Sequence, residues 1–515
     1  MPISLSSKLE KVRGMNDVLP EEYEASQAIQ ASLARTFKAF GYRPLDVPVI
    51  EHTSLYLRKA GEDIIARLYD FTFQGRRLCL RPELTASVIR AYIDTMQGSG
   101  LPVRLCYSGP VFRYEKPQRG RHRQFTQTGV ELIGAGGPMA DAEVIAMACQ
   151  GLDTLGLAGY QVVIGHVGIL ARFLEGLQLD LRLRDFLLTN IETIRTRGIA
   201  AILERLPVVF PTLTLAELSS PQDAFGTAHG PALEAVLADL DEPAARSMVL
   251  DLLKSMDVEL DSARSPDEIV SRLLAKIRRR GQSPRLDRAL RFLSELCRLT
   301  GEPSRVLQEA ERLLASYTIS LEPLHQLRAI FESLAPYGGL DPSRITLDLG
   351  LSRGLQYYTG MIFEIYHGSP GEERQLCGGG RYDDLVQTLG GRSSVPGCGF
   401  SYGLERIQLA LADEGRLSPA APPVDLLVIP VSPQEAGPAI RAAQAFRAQG
   451  LAVEIDVRGR SVTSNLQHAN SRRIPFAVVI GSTEVAAGQV LLKTMSTGTE
   501  QRLKIDEAIM IVKKN

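Results

Sequence analysis

Cysteine is scarce in this chain: six in 515 residues, with no CxxC and no Cys/His cluster. That pattern excludes a structural zinc site and a disulfide framework, and it points to reducing cytoplasm. No long uncharged apolar run is present to span a bilayer, and the opening MPISLSSKLEKVRG has no apolar signal region. The expectation is a soluble, unexported protein with no membrane contact. Charge of one sign is also missing in bulk. The net charge of -1 excludes wholesale basicity, so any nucleic-acid contact must come from local patches. What is abundant is ordinary. A hydrophobic content of 44% and a charged content of 23% are those of globular protein, and 515 residues are too many for one core.

The richest stretch is VFRYEKPQRGRHRQFTQTGVELIG, Val111 to Gly134. Alternation around a Gly-bearing basic tip, Lys116 to Arg123, predicts two antiparallel strands joined by a loop. Residues i and i+2 share a strand face, so Arg113 and Glu115 can meet one ligand, as can Gln127, Gly129 and Glu131. An exposed hairpin with solvated charges fits the spacing equally well.

Elsewhere the pattern sorts into elements. Ile29, Leu33, Phe37 and Phe40 mark one face of a helix that Gly41 ends. YRPLDVPVIEH comes next as an edge or interface strand, given its two prolines. LRPELTASVIRAYI reads as a strand passing into a helix, with Glu83 at the junction either capping that helix or receiving a cationic amine. Residues 166–339 are mostly helical in pattern and hold a basic run, Lys276, Arg278, Arg279 and Arg280, which is either solvated or phosphate-binding. Period 2 returns in ITLDLGLSRGLQYYTGMIFEIYH. GGGRYDDLVQTLG then predicts a close-approach glycine turn and a helix, and GFSYGLERIQLALA a strand entering a helix. SPAAPPVDL is a linker. Beyond it VDLLVIPV, LAVEIDV and FAVVIG alternate with helices, the first carrying Ala436, Ala439, Ile440, Ala443 and Phe446 on one face. That alternation predicts a small α/β domain with a mostly parallel sheet.

The Val111–Gly134 stretch resembles motif 2 of the class II aminoacyl-tRNA synthetases, in the form found in the histidyl-tRNA synthetase family. RGMNDVLP, LRPELTA, RGLQYYTGMIFE, GGGRYDDL and GFSYGLERI lie in that family's order. The resemblance implies an α+β catalytic domain with an antiparallel sheet (residues 1–165 and 340–415), a mostly helical insertion (166–339) and a C-terminal α/β anticodon-binding-like domain (424–515). It implies a homodimer through motif 1, with Pro48 as its proline, and substrates ATP with Mg2+, L-histidine and histidine tRNA.

Residue by residue, the resemblance assigns Arg113, Glu115 and Arg406 to ATP, and Arg113, Arg353 and Arg406 to catalysis. Glu83 and Thr85 match binders of the histidine α-amino group; Glu131 and Tyr358 match partners of the two ring nitrogens, with Gln127 and Tyr382 as further walls. Gln118 and Arg119 match tRNA-reading loop positions, and no side chain is implied as a dedicated metal ligand. Arg458, Arg460, Gln467, Arg472 and Arg473 are the candidate RNA contacts of the last domain. Two positions depart from the pattern: Leu84 stands where a Gly is usual and Gln356 where an Asp is, which removes a negative charge.

IGHVGILARFLEGLQL resembles the regulatory subunit of ATP phosphoribosyltransferase, a paralogue on the same catalytic fold. Three functions therefore remain: a histidine-tRNA ligase, a non-catalytic histidine-sensing regulatory subunit, or an aminoacylating paralogue acting on something other than tRNA. The three arginines, the PQRGRHRQ loop and the last domain favour the ligase, since a sensor has no evident use for them.

Overall fold

The structure is a computed structural model that describes residues 10–58, 66–116, 119–177, 179–210, 244, 247–248, 251, 285–338, 341–351, 357–369, 371, 374–417 and 424–514. The basic run 276–280 and the linker residues 418–423 lie outside them. The chain divides into two compact units, a larger one ending at Leu417 and a smaller one running from residue 418 that takes in Leu19–Ala25.

Twelve strands of the larger unit are described. They are β1 (Arg43–Pro44), β2 (Ile50–His52), β3 (Tyr69–Phe73), β4 (Arg76–Leu80), β5 (Val103–Phe112), β6 (Gln124–Ile133), β7 (Tyr160–His166), β8 (Thr300–Gly301), β9 (Ile345–Asp348), β10 (Met361–His367), β11 (Gln375–Arg381) and β12 (Gly397–Gly403). Nine form one sheet in the order β1-β5-β6-β12-β11-β10-β7-β9-β8, and β2-β4-β3 form a second. From β5 to β7 every neighbour is antiparallel. The centre of the sheet is therefore hairpin-like, as the alternation predicted.

The helix Pro20–Ala39 buries Ile29, Leu33 and Phe37. It stops at Gly41, whose φ of +83° suits glycine. The segment Tyr42 to His52 is not one strand. The chain leaves the first ladder after Pro44, and Pro48 lies between the two strands, so β1 joins the large sheet beside β5 while β2 pairs with β4 in the other.

Residues 166–339 are helical where described, at Val167–Gly176, Leu181–Thr189, Ile191–Val209, 285–296, Pro303–Ser316 and Glu322–Leu334, with the short strand β8 added to the large sheet. Their apolar faces do not form a core of their own. Leu170, Phe173, Phe292, Leu324 and Ile330 belong to the same buried cluster as Leu33, Val130 and Phe400, so these helices pack as a layer on the large sheet.

GGGRYDD corrects the glycine-turn expectation: Gly378, Gly379 and Gly380 lie inside β11, and the helix after it is short, Leu385–Thr388. Glycine is required there by close approach rather than by a bend. A Cβ on Gly380 would stand 2.8 Å from two ring carbons of Tyr358.

The smaller unit has β13 (Leu426–Pro430), β14 (Val453–Ile455), β15 (Phe476–Ile480), β16 (Val490–Thr494) and β17 (Glu500–Leu503) in the order β14-β13-β15-β16-β17. The first three are parallel, but β16 and β17 are antiparallel. The sheet is thus mixed rather than mostly parallel, because residues 490–503 form a hairpin with no helix between its strands. On the helix Ala436–Ala448 the buried face is Ala439, Ala442, Ala443 and Phe446, while Ile440 is exposed. Separate apolar clusters cover the two faces of this sheet.

Candidate active site

The floor of a cleft of about 630 Å³ is built on β6, where Gln127 and Glu131 project from one face. Between them Gly129 lies opposite Tyr107 of β5 and Ser401 of β12. Gly399, opposite Glu131, keeps the floor open in the same way: a Cβ there would overlap the Glu131 carboxylate and the Val130 carbonyl. Gly399→Ala is therefore expected to destabilise the fold by roughly 1–3 kcal/mol, the scale for overpacking, and to displace Glu131. Urea denaturation measures it, and a change below about 0.5 kcal/mol, the range of neutral surface substitutions, would mean that the floor yields.

Glu131 is 1% exposed. The Tyr107 hydroxyl donates to Oε1 at 3.0 Å and the Tyr382 hydroxyl to Oε2. Burial pushes its carboxyl up to about 8, although the tyrosine hydrogen bonds pull the other way and Glu83 adds repulsion.

Glu83 is itself buried, accepting from the backbone N–H of Thr85 at 2.7 Å and of Ala86 at 2.9 Å. Capping and cleft-lining are therefore not alternatives, because this carboxylate does both for the helix Thr85–Thr95. Its pKa is raised by burial, against the Ala86 N–H and the Arg113 cation. Gln127 Oε1 accepts from the Leu84 N–H at 3.2 Å, which uses the backbone of the departing position and not its side chain. Thr85, Tyr358 and Tyr382 complete this end. Its two buried carboxylates each hold two donors already, Glu131 from tyrosine hydroxyls and Glu83 from backbone N–H groups.

The other end is cationic. Here the i, i+2 expectation needs correction: β5 stops at Phe112, so Arg113 and Glu115 sit in irregular chain. Arg113 Nε donates to the Pro82 carbonyl at 2.8 Å and its guanidinium lies 5.3 Å from the Phe125 ring centroid. Arg406 Nη1 donates to Gln375 O at 2.8 Å and Nε to Gly120 O at 3.3 Å. Glu115 is clasped by Arg67 at 3.0 Å and by Arg121. Burial pushes its carboxyl up, but Arg121, Arg113 and Arg67 together hold it below the usual value. Arg67, Arg113, Arg121 and Arg406 all line the cleft. Converging cations of this kind suit a polyanion.

Sequence reasoning missed Arg67 and Tyr107. No pattern marks Arg67; Tyr107 was legible in principle, as the residue opposite a strand glycine. In the helical middle Arg195, which no sequence pattern marks, pairs with Asp348 at 3.0 Å and reaches the cleft wall. Arg353, Gln356 and Gln118 lie outside the described residues. Arg119 is exposed and paired with Asp413 at 3.0 Å. In the smaller unit Arg458, Gln467 and Arg473 are exposed, while Arg460 and Arg472 pair with Asp456 and Glu454.

The sequence profile of a family described as Histidyl-tRNA synthetase matches residues 14–268 and 191–407, and one described as Anticodon binding domain matches 425–515. The chain is 31% identical to a histidine-tRNA ligase of Methanocaldococcus jannaschii over 501 residues, 97% of this chain and 98% of that protein. With the corresponding protein of Methanoregula boonei the identity is 33% over 506 residues, 98% of each. A solved histidyl-tRNA synthetase from Nostoc shares the fold at a TM-score of 0.64 and 19% identity, with 99% of each chain covered. The apo Staphylococcus aureus synthetase does so at 0.58 and 23%, with 98% of this chain and all of that one covered. The architecture is thus the class II catalytic fold with a helical insertion and a C-terminal anticodon-binding-like domain. The two ligases align along the helical middle as well, so its resemblance to a regulatory paralogue gives that second function no advantage.

Proposed function

The chain belongs to the histidyl-tRNA synthetase family, and from that premise we propose that the cleft activates histidine with ATP at its two chemically opposite ends. The protein is a histidine-tRNA ligase: it forms histidyl-adenylate and passes the histidyl group to tRNA. The observation that carries the site assignment is the polarity of the cleft, with buried Glu131 and Glu83 at one end and four arginines at the other.

The imidazole sits between Glu131 and Tyr358, walled by Gln127 and Tyr382, and the α-amino group faces Glu83 and Thr85. Arg113 and Arg406, with Glu115 held beside them, receive ATP. The histidine carboxylate attacks the α-phosphorus and pyrophosphate leaves. Both reactants are anions, so orientation and fixed positive charge lower the barrier. Arg353 is assigned to the reacting phosphate by resemblance. The tRNA terminal ribose hydroxyl then attacks the adenylate carbonyl and AMP departs, with Gln118 and Arg119 on the acceptor stem.

Mg2+ supplies charge neutralisation on the phosphates when bound. Such an ion would be held by substrate phosphates and one or two carboxylates. Glu364, in the cleft and accepting from Gln375 Nε2 at 2.8 Å and from the Tyr366 hydroxyl, is one carboxylate that would serve it.

Histidine-dependent exchange between pyrophosphate and ATP tests this reading, and a regulatory protein would show none. Glu131→Gln is expected to weaken histidine far more than ATP in calorimetric titrations; equal losses would make Glu131 structural. The same change has an opposite effect on stability. Because the folded carboxyl titrates near 8 against about 4.3 unfolded, the folded state binds the extra proton between those values and wild-type stability falls as pH rises through them. The melting temperature of the unliganded Gln variant, relative to wild type, should therefore climb from pH 5 to pH 8. A flat difference would mean that Glu131 is already ionised at pH 5.

Homodimerisation we assign to the β2-β4-β3 sheet, where Ile50, Phe71 and Phe73 are exposed together. Phe73→Glu is expected to shift the mass measured by light scattering from dimer to monomer, and an unshifted dimer would place the interface elsewhere. No described helix is long and apolar enough to cross a membrane; reducing cytoplasm is the compartment in which we place the protein.

A further inference from the structure

Tyr382 hangs between two residues that never reach the cleft. On one side is Arg381, 6% exposed, whose Nε donates to Asp141 at 2.9 Å, Nη2 to Gly137 O at 3.4 Å, and Nη1 to Asp383 at 2.8 Å and to Ala135 O at 3.2 Å. On the other is Asp383, which accepts the Gly397 N–H at 3.2 Å and donates its own N–H to Thr359 Oγ1 at 3.0 Å. Thr359 returns its N–H to Arg381 O at 2.8 Å. One guanidinium and its two carboxylates thus join three places: the turn after β6, which bears Glu131; the end of β11; and the start of β12, which bears Gly399. The residue after Tyr358 is tied to the backbone of Arg381 and Asp383.

Holding this cluster is costly. Burial pushes the Asp141 carboxyl up to about 6 even with Arg381 beside it, and an apolar set of the same volume would hold the strands as firmly without that cost. A planar fork of directed donors adds fixed geometry instead. The geometry points to Arg381, with Asp141 and Asp383, as a positioning cluster that sets the Tyr382–Glu131 and Tyr358 side of the pocket, and so the affinity for the histidine ring, without touching the substrate. This rests on the assignment of those three residues to the imidazole.

The test is pyrophosphate exchange by the full-length protein with histidine and ATP varied separately, for wild type, Arg381→Lys, Asp383→Ala and Glu131→Gln. Arg381→Lys keeps the charge but loses the fork; Asp383→Ala removes a side chain 39% exposed and leaves Gly397 N–H and Arg381 Nη1 without their carboxylate. Both are expected to raise the KM for histidine ~10-fold or more, the order that small misplacements in a site produce, with the KM for ATP within about twofold of wild type. A merely structural cluster would lower the melting temperature and move both constants together, or neither, and either result overturns the inference. So does failure of both variants to fold. If Glu131→Gln leaves the KM for histidine unchanged, the pocket assignment itself is wrong; if it raises that KM while Asp383→Ala does not, only the cluster's role falls.

Discussion

Arg113→Ala should lower histidine-dependent pyrophosphate exchange by more than ~10²-fold, the loss typical of one preorganised charge-stabilising donor, and leave a folded protein. The guanidinium is anchored through Nε on the Pro82 carbonyl and across Phe125, which fixes its direction before any ligand arrives. Its backbone N–H is tied to Arg123 O at 2.9 Å, so the chain path survives removal of the side chain. What disappears is a cation aimed into a cleft where an attacking carboxylate and a phosphate must meet. Arg113→Lys should recover little, since a point charge on a flexible stem does not reproduce the fork. Arg353→Ala, proposed on resemblance, is expected to match the Ala variant. Exchange within about tenfold of wild type in a folded Arg113→Ala protein, one decade short of that donor scale, would remove Arg113 from the chemistry.

Truncation after residue 423 is expected to leave exchange largely intact and to cut tRNA charging at limiting tRNA by ~10²-fold or more, the scale on which tethering raises effective concentration. The residues assigned to ATP and histidine all precede Leu417, and the core of the larger unit draws on Ile29 to Leu411. The smaller unit covers both faces of its own sheet with its own side chains, so neither core is opened by the cut. We assign it the anticodon end of the tRNA, with Arg458, Gln467 and Arg473 at its exposed positions. Equal charging by the truncated and full-length chains at limiting tRNA would sink that assignment.

The sequence by itself determined the elements whose pattern is local and dense. The strand β6, the helices that start at Pro20 and Ala436, and the strand-to-helix passage at Leu404 come from period and punctuation alone, whereas β5, the partner of β6, lies almost wholly before Val111, outside the stretch whose pattern predicts the hairpin. Gln127 and Glu131 on one face also come from period, because the strand period of two leaves no other arrangement. Cleft membership of Glu83, Thr85, Arg113, Glu115, Tyr358, Tyr382 and Arg406 came from motif order, and the fold brings all of these together.

What only the tertiary structure decided depends on contacts remote in sequence. Whether Glu83 caps or lines could not be read locally, since its cap partners are two and three residues away while the Arg113 charge that steadies it comes from the chain after β5. The glycine run at 378–380 predicts a turn from its sequence, but neighbouring strands and the Tyr358 ring show that at Gly379 and Gly380 the constraint is space and not φ. Arg67 carries no local pattern, and Arg381 is one charge beside a glycine run. Arg67 acquires meaning from a carboxylate 48 residues away and Arg381 from one 240 residues away, because the partly buried charge of Glu115 and the buried one of Arg381 are tolerable only where a partner meets them, and that meeting is a property of the folded chain.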